Sequence, residues 1–306
     1  MIVTVTANPA LDITYTLDHL RLGQSHRPLS QRAVAGGKGI NVASVLRCFG
    51  YDCAAVGLLG GRTGDAIRAD LAARGMDPAH FVPAPGSTRR TVNIVSDGVS
   101  TLVNEAGPTV DEQSWGRLEQ HVRELLARPG AHVLVIAGSL PPGLGEDVYA
   151  RLVGIAGPDV PTVVDAVGAP LLRACSTGAT LVKPNRAELA ASTGRDDLLA
   201  GAHDLRRRGA DNVVVTDGAD GVVFVPEDGP SYRARLDAPL AGNPTGAGDA
   251  FAAAAATSLL DGSDPIALLR RGVAWSAAAV LAPVAGQVDP ERAAELLAHV
   301  RIEEIA

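Results

Sequence analysis

The sequence predicts an α/β domain built on a mostly parallel sheet with helices on both faces. From residue 111 onward, short runs rich in Val, Ile and Thr alternate with longer runs of helical periodicity. This alternation is typical of parallel sheets, because parallel strands need a crossover connection. Glycine-rich loops follow several of the strands, and ligands of such sheets gather at the carboxyl ends of the strands. A ligand site is therefore expected at that end of the sheet.

The elements follow in order along the chain. Strands are predicted at 2–7, 53–58, 132–137, 162–165, 180–183, 213–216 and 222–225. Helices are predicted at 111–127, 146–156, 185–193, 197–208, 248–260, 264–282 and 289–300, and two more follow the glycine loops at 36–41 and 60–64. No internal repeat and no low-complexity linker interrupts this order, so we interpret residues 1–306 as a single domain.

Two segments of the N-terminal half differ from this pattern, because they alternate polar and apolar residues and lack helical periodicity. Residues 91–95 and 99–103 flank the turn Asp97-Gly98, which is a strong hairpin signal. We expect the segments 11–34 and 88–105 to form a small sheet beside the main one. Since two separated segments would build it, we interpret this sheet as a lid inserted in the domain.

Composition excludes several classes of function. The chain has 306 residues, of which 46% are hydrophobic and 20% charged, so it can bury a sizeable core. Its net charge of −7 argues against binding to nucleic acid or to anionic membranes. The three cysteines lack metal-ligand spacing, the N-terminus lacks the features of a signal peptide, and no apolar run is long enough to span a membrane. We expect a cytoplasmic protein.

The stretch 243–249 (NPTGAGD) precedes an alanine-rich run and predicts a tight loop at the start of a buried helix. Gly246 and Gly248 let backbone N–H groups converge without obstruction by a Cβ atom. A helix N-terminus adds unsatisfied donors and a partial positive charge, so the loop suits an anion such as a phosphate. Asp249 would lie at the edge of that site. A plain turn with a favourable first-turn carboxylate explains the same residues equally well.

Two further glycine-rich loops follow predicted strands. Residues 36–41 (GGKGIN) form an anion loop with a lysine, but they are no Walker A motif, because Arg32 and Gly39 occupy positions that need Gly and Ser or Thr. Residues 138–143 (GSLPPG) are no nucleophile elbow, because Gly138 directly precedes Ser139. Ser139 either donates a hydrogen bond to a ligand or belongs to an ordinary strand-to-helix turn.

The stretch 183–189 (KPNRAEL) predicts a capping box, with Asn185 as N-cap and Glu188 three residues later. The same two side chains could organise a hydrated Mg²⁺, which uses few protein carboxylates, and both interpretations can hold together. The turn 216–221 (TDGADG) suits nucleotide phosphates or ribose. The chain has only two lysines, Lys38 and Lys183, and either chance or a need for a compact ammonium group at those positions explains this.

Other enzyme classes are disfavoured. Residues 246–251 (GAGDAF) contain half of a dinucleotide-binding fingerprint, but Phe251 replaces the third glycine and the motif lies late in the chain. The histidines show no HExxH spacing, and no Ser/His/Asp pattern is evident.

The motifs at 36–41, 183–189 and 245–249, taken in this order, resemble the two signatures and the connecting motif of the ribokinase-like (PfkB) carbohydrate kinases. The resemblance spans residues 2 to about 285. Residues 8–12 (NPALD), Thr88-Arg89, Asn104 and 138–143 resemble the hexose-phosphate kinase branch. The resemblance implies a three-layer α/β/α sandwich with a β-sheet lid, ATP and Mg²⁺ as cofactors, and a homodimer formed through the lids.

The resemblance also implies roles for individual residues. Asp249 would be the base for the acceptor hydroxyl, and Gly246, Ala247 and Gly248 would form the anion hole. On the sugar side it implies Asp12, Gly37, Lys38, Asn41, Arg89, Asn104 and Ser139, of which Lys38 and Arg89 would meet the sugar phosphate. On the ATP side it implies Lys183, Asn185, Thr216, Gly218, Gly221, Thr245, Gly246, Gly248 and Ser276. Asn185 and Glu188 would organise Mg²⁺ through water.

The resemblance implies ATP-dependent phosphorylation of a hexose phosphate. Asn104 resembles the 1-phosphofructokinases and favours fructose 1-phosphate as acceptor, whereas 243–245 (NPT) resembles the tagatose-6-phosphate kinases. Fructose 6-phosphate and an unphosphorylated sugar are the other candidate acceptors. A non-catalytic sugar- or nucleotide-sensing protein on the same fold is the alternative from another class.

Overall fold

The computed structural model describes residues 1–282 and 284–306. In these residues the chain forms fourteen strands: β1 (Ile2–Thr6), β2 (Ala10–Thr16), β3 (Ser30–Gly36), β4 (Cys53–Leu59), β5 (Phe81–Pro83), β6 (Arg89–Ser96), β7 (Val99–Asn104), β8 (Val133–Ala137), β9 (Thr162–Asp165), β10 (Leu181–Val182), β11 (Asn212–Thr216), β12 (Val222–Val225), β13 (Ser231–Leu236) and β14 (Val300–Ile305). Ten of them form a main sheet, and four form a small sheet.

The described residues also form ten α-helices. They are α1 (Lys38–Cys48), α2 (Gly61–Ala73), α3 (Glu112–Leu126), α4 (Val148–Ala156), α5 (Ala169–Ser176), α6 (Arg186–Thr193), α7 (Leu198–Arg207), α8 (Ala247–Asp261), α9 (Pro265–Val280) and α10 (Pro290–Leu296). Helices α3 to α7 pack against one face of the main sheet, and α1 and α8 to α10 pack against the other. The three-layer sandwich is thus present.

The main sheet has the strand order β14-β13-β12-β11-β10-β9-β8-β1-β4-β5. Every pair from β11 to β5 is parallel, and every pair from β11 to β14 is antiparallel. The central strand β1 is buried along its whole length, and Ile2 lies in register with Cys53 of β4 and Val133 of β8. The parallel strands are rich in Val, Ile, Leu and Ala because both faces are covered.

Helix α8 is buried between the main sheet and its neighbouring helices. All residues from Asp249 to Ser258 are buried, which fits a helix that is apolar on every side. Its alanines let neighbouring elements approach closely, and a Cβ at Gly272 of α9 would overlap the ring of Phe251. Close packing of this kind holds a helix in one position. The N-terminus of α8 is therefore fixed relative to the sheet.

The small sheet has the order β3-β2-β6-β7. Its hairpin β6–β7 turns at Asp97 and Gly98, which have φ angles of 51° and 76°. Positive φ at both central residues is typical of the type I′ hairpin turn. Strand β2 pairs with β6, so the segments 11–34 and 88–105 form one sheet as predicted. The function of this sheet as a lid stays a prediction.

Some elements differ from the prediction. The predicted helix at 289–300 ends as α-helix at Leu296, and residues from Val300 form strand β14, which pairs antiparallel with β13. Strands β5, β13 and β14 and helix α5 were not predicted; β5 has three residues and α5 eight, too few to show a clear period. Among the described residues, no helix is long and apolar enough to cross a membrane.

Candidate active site

The site residues lie where parallel strands of the main sheet end. Residues that end these strands or follow them closely are Ser139, Asp165, Lys183 and Thr216. Strands β8, β9, β10 and β11 are adjacent and parallel, so these residues lie along the same end of the sheet. The starts of α1 and α8 reach this end too, because Lys38 of α1 contacts Asp165 and Asn41 of α1 contacts Asp249 of α8. The site is thus built from stretches far apart in sequence.

Asp249 lies in the first turn of α8 and is 7% exposed. The Nδ2 of Asn41 donates to its Oδ2 at 2.8 Å, which fixes the orientation of the carboxylate. Burial, assisted by the charge of Asp165, raises the pKa of Asp249 to about 7, although Asn41 and the two lysines oppose the shift. A carboxylate with a pKa near neutrality is better matched to accepting a proton than an ordinary one.

The loop before Asp249 exposes the N-terminus of α8. Gly246 is the N-cap, with a φ angle of 89°, and no side chain among residues 1–282 and 284–306 caps this helix. A Cβ at Gly246 would lie 2.9 Å from the Cα of Ala285, so only glycine fits there without displacement. A Cβ at Gly248 would lie 3.3 Å from the Nζ of Lys183. First-turn amides and a lysine therefore face the same small space, as an anion requires.

Two predicted ATP-side residues hold this loop in place. The hydroxyl of Ser276 donates to the carbonyl oxygen of Ala247 at 2.9 Å and joins α9 to the start of α8. The amide of Thr245 donates to Oδ1 of Asn243 at 3.1 Å, which tightens the turn. Roles for Ser276 and Thr245 in binding ATP stay predictions.

Asp165 joins both lysines of the chain. Its Oδ1 lies 2.7 Å from Nζ of Lys38, and its Oδ2 lies 2.9 Å from Nζ of Lys183. Lys38 also contacts Oε1 of Glu188 at 2.8 Å. Asp165 and Lys183 are 1% and 2% exposed. Buried charges are stable only when they are paired in this way, so the four groups form one unit.

The charges of this unit shift each other's pKa values. Burial would raise the pKa of Asp165, but the ammonium groups of Lys183 and Lys38 outweigh it and hold the pKa below the usual value. Burial would lower the pKa of Lys38, but the carboxylates of Asp165 and Glu188 outweigh it and raise the pKa. Asp165 and Glu188 occupy two of the three N–H donors of Lys38, and among residues 1–282 and 284–306 the third has no acceptor and can donate to a ligand.

Asn185 and Glu188 form the predicted capping box at the start of α6. Oδ1 of Asn185 accepts from the amide of Glu188 at 2.9 Å, and Oε2 of Glu188 accepts from the amide of Asn185 at 2.9 Å. This geometry leaves lone pairs free on the carboxylate of Glu188. Within the described ranges, no group of three or more His, Cys, Asp or Glu side chains is placed to hold a metal ion.

The turn 216–221 lies next to this capping box. Thr216 pairs with Asn185 in an isolated parallel bridge, and its amide donates to the carbonyl oxygen of Pro184 at 3.1 Å. Gly218 and Gly221 have φ angles of 57° and 90°, which non-glycine residues rarely adopt. The predicted ATP-side residues Thr216, Gly218 and Gly221 thus lie on one continuous turn beside Asn185.

Asp12 lies on β2 of the small sheet, against the glycines that precede α1. A Cβ at Gly36 would overlap its carboxylate, and Gly37 has a φ angle of 114° as N-cap of α1. Burial raises the pKa of Asp12 to about 6, while a hydrogen bond from Thr91 and the charge of Arg89 oppose the shift. The glycines therefore let a carboxylate from the small sheet approach the start of α1.

Arg89 begins β6 and contacts a different set of groups from Lys38. Its Nε donates to the carbonyl oxygen of Asn8 at 3.2 Å, and its Nη1 donates to that of Glu105 at 3.3 Å. Nδ2 of Asn8 lies 3.5 Å from Oγ of Ser139. Asn104 is exposed at the end of β7, opposite Thr91. Arg89, Asn8 and Ser139 thus lie together, and their binding of a sugar phosphate stays a prediction.

Sequence reasoning missed Asp165 as a site residue. The prediction included it only as the end of a strand, although a carboxylate at the carboxyl end of a parallel strand is itself a signal of a ligand site. The scarcity of lysine was a second signal, because Lys38 and Lys183 both contact Asp165. The prediction placed Lys38 with Arg89, whereas the described contacts of the Lys38 ammonium group are with Asp165 and Glu188.

Comparison with known proteins agrees with the predicted resemblance. The pfkB family carbohydrate kinase profile matches residues 5–292. The chain is 37% identical over 316 residues to a 1-phosphofructokinase of Xanthomonas campestris, covering 98% of this chain and 97% of the relative. It is 30% identical over 310 residues to a 1-phosphofructokinase of Borreliella burgdorferi, covering 100% of this chain and 99% of the relative.

The fold is similar to that of a solved sugar-phosphate kinase. The structure of phosphofructokinase-2 from Escherichia coli in complex with fructose-6-phosphate aligns with a TM-score of 0.87 and 28% identity, covering 97% of this chain and 98% of that chain. This confirms the predicted fold, a large mostly parallel sheet with helices and a smaller sheet. The chain therefore belongs to the pfkB family of carbohydrate kinases and is an ATP-dependent sugar kinase.

Proposed function

We propose that this chain transfers the γ-phosphoryl group of MgATP to the free primary hydroxyl of fructose 1-phosphate. The observation that carries the proposal is Asp249, a buried carboxylate held by Asn41 at the N-terminus of a fixed helix. Two relatives named 1-phosphofructokinase, similar over nearly the full length of the chain, support this choice of acceptor. Tagatose 6-phosphate and fructose 6-phosphate are the alternative acceptors.

In the proposed reaction, the sugar hydroxyl lies between Asp249 and the γ-phosphorus. Its oxygen forms the new P–O bond as the bond from phosphorus to the β–γ bridging oxygen breaks, its proton passes to Asp249, and ADP leaves. Phosphoryl transfer depends mainly on positioning and on stabilising charge on the transferred group. The amides at the start of α8 and the ammonium group of Lys183 stand where they can provide that charge stabilisation.

The residues around Glu188 fit a hydrated Mg²⁺. This ion typically keeps several waters and binds one or two carboxylates together with substrate phosphates. Glu188 offers a partly exposed carboxylate, and Asn185 orients it through the capping box. When bound, the ion would neutralise charge on the β- and γ-phosphates.

An assay of ADP formation tests the proposal. Purified chain and MgATP are combined in turn with fructose 1-phosphate, fructose 6-phosphate, tagatose 6-phosphate and free fructose. We expect the highest kcat/KM with fructose 1-phosphate. A higher kcat/KM with another hexose phosphate would show that this sugar, and not fructose 1-phosphate, is the acceptor. ADP formation with free fructose alone would contradict the assignment to phosphorylated sugars.

Arg89→Ala tests the recognition of the sugar phosphate. We expect this change to weaken the use of phosphorylated sugars by roughly 1–3 kcal/mol, the scale of a hydrogen bond to a charged group, and to spare free fructose. Arg90→Ala is the matched control, because Arg90 is the next residue of β6 and is exposed. Equal losses of kcat/KM for phosphorylated and free sugars would show that Arg89 does not bind the phosphate.

The pH dependence of kcat/KM follows from the pKa values of two carboxyl groups. The pKa of Asp249 is raised to about 7, so its base form is lost as the pH falls below that value. We expect kcat/KM to fall with a slope approaching tenfold per pH unit there, and more steeply below the pKa of Asp12, which is about 6. A profile that stays flat to about pH 5.5 would contradict Asp249 as the base.

The proposal includes a homodimer formed through the small sheet. Its edge strand β7 exposes three apolar side chains, since Val99, Leu102 and Val103 are 64%, 53% and 56% exposed. Apolar side chains exposed along an edge strand favour contact with another protein. Sedimentation equilibrium of the whole chain gives the molar mass that tests this association.

A further inference from the structure

The C-terminal end of strand β3 is held by hydrogen bonds from outside its own sheet. Strand β3 is an edge strand, paired on one side with β2, and Ala35 lies in register with Leu11. The amide of Ala35 donates to Oδ2 of Asp70 at 2.9 Å, and its carbonyl oxygen accepts from Nη1 of Arg74 at 3.2 Å. An edge strand normally presents such groups unpaired. Here two side chains of α2 take the place of a neighbouring strand.

Asp70 and Arg74 act as a pair. They lie one turn apart on α2, and Nη1 of Arg74 contacts Oδ2 of Asp70 at 3.1 Å. The two side chains are only 25% and 30% exposed. Residues four apart on a helix lie side by side, so the pair presents an acceptor and a donor at the spacing of one backbone unit. We name these two residues the α2 clamp.

The α2 clamp also reaches α1. Nη2 of Arg74 donates to Oγ of Ser44, and Ser44 in turn donates to the carbonyl oxygen of Ile40 at 2.8 Å. Helix α1 carries Lys38 and Asn41, which contact Asp165 and Asp249. One guanidinium group therefore ties the end of the small sheet to the helix that supplies two site residues.

The segment next to the clamp is the one on which Asp12 rests. Gly36 follows Ala35 directly and leaves the space that the carboxylate of Asp12 occupies. Gly37 then turns the chain, with a φ angle of 114°, into α1. Two glycines in succession give this connection little stiffness of its own. Its geometry therefore depends on what anchors Ala35.

We propose that Asp70 and Arg74 are positioning residues for the sugar phosphate. The inference rests on the proposed function, the phosphorylation of a sugar phosphate. By holding Ala35, the α2 clamp fixes Gly36 and Gly37 and thereby the carboxylate of Asp12. The predicted ATP-side residues lie elsewhere, on the loops after β10 and β11, at the start of α8 and on α9. Loss of the clamp thus affects the sugar and leaves ATP binding intact.

Arg74→Met tests this role through the two KM values. We expect KM for fructose 1-phosphate to rise about tenfold, the equivalent of one hydrogen bond from a charged group, because Asp12 is no longer held in place. We expect KM for ATP to change less than about twofold, which is small on the same scale. Arg74→Lys keeps a charged donor and is expected to recover part of the lost affinity for the sugar phosphate.

Arg68→Met is the matched control for structural damage. Arg68 lies on the same helix, and its guanidinium group also donates to two carbonyl oxygens, those of Pro78 at 2.9 Å and Phe81 at 2.8 Å. We expect this variant to lose thermal stability without a change in KM for the sugar phosphate. Equal effects of the two variants on that KM, or equal effects of Arg74→Met on both KM values, would overturn the proposal.

Hydrogen exchange of the ligand-free protein separates this inference from the proposed function. We expect the amide of Ala35 to exchange faster in Asp70→Ala than in the unchanged chain, because its acceptor is removed. An unchanged exchange rate of the Ala35 amide would show that the α2 clamp does not anchor β3, whichever substrate the protein uses. Faster exchange in a chain that phosphorylates no sugar phosphate would support the clamp as an anchor of β3 and overturn the proposed function alone.

Discussion

Asp249→Asn is expected to lower kcat by about 10²–10⁴-fold, the usual contribution of a general base. The amide keeps the shape of the side chain but cannot take the proton of the sugar hydroxyl. Asn41 can still hydrogen-bond to the amide oxygen, so the geometry of the site is preserved. Because burial raises the pKa of Asp249 from 3.8 to about 7, its ionisation removes stability from the folded state progressively between these two pH values, and the variant is expected to be at least as stable at about pH 8.

The matched control is Asp261→Asn at the other end of the same helix. Asp261 accepts from Arg271 at 2.9 Å and is 39% exposed in its side chain, so the substitution removes a carboxylate from α8 away from the site. We expect nearly unchanged kcat in this control. Both variants are measured with saturating MgATP and sugar phosphate, and near-normal turnover of Asp249→Asn would remove Asp249 from the mechanism.

Asp165→Asn is expected to lower both stability and turnover. It leaves the ammonium groups of Lys38 and Lys183 without their shared carboxylate, and Lys183 is only 2% exposed. Removal of one partner of a buried ion pair typically costs about 3–5 kcal/mol, because the remaining charge is uncompensated. We expect a decrease of that size in the free energy of unfolding, measured by urea denaturation, together with loss of kcat as Lys183 moves from the start of α8.

Asp204→Asn is the control, because it removes a carboxylate whose cationic partners are not buried. Asp204 contacts Arg195, Arg207 and Arg208, whose side chains are 45% to 62% exposed. Ion pairs with solvated partners contribute about 0–1 kcal/mol each, so this variant is expected to lose much less stability. Adding Lys183→Met to Asp165→Asn removes the uncompensated buried charge and is expected to restore part of the loss. A double variant less stable than Asp165→Asn would contradict this explanation.

Local patterns predicted most of the fold. The apolar period of α3, with buried Trp115, Leu118, Val122 and Leu125, is evident in the sequence, and so is the Asp97-Gly98 turn. Strand β14 was not predicted, and the predicted helix at 289–300 extended to its first residue, because pairing with β13, more than sixty residues earlier, decides the conformation of this strand. Strand formation depends on such distant partners more than helix formation does.

The candidate site was predictable only where a motif lies within a few residues. The capping box of Asn185 and Glu188 and the glycine loop before Asp249 are of this kind. The position of Asp165 at a strand end was a signal of a ligand site, but Lys38 reaches it across more than a hundred residues, and no local pattern showed that it pairs with both lysines. The contact of Ala35 with α2 was hidden for the same reason, since it involves backbone groups that carry no sequence signal.

The lysine–carboxylate unit also determines how the protein responds to reagents that acylate amines. The chain offers only two lysine side chains to such a reagent, Lys38 and Lys183. Lys183 is buried, and the raised pKa of Lys38 keeps its amine protonated and therefore weakly nucleophilic. Acylation near neutral pH is therefore expected to be slow at both lysines, and a bound ligand is not needed to protect them.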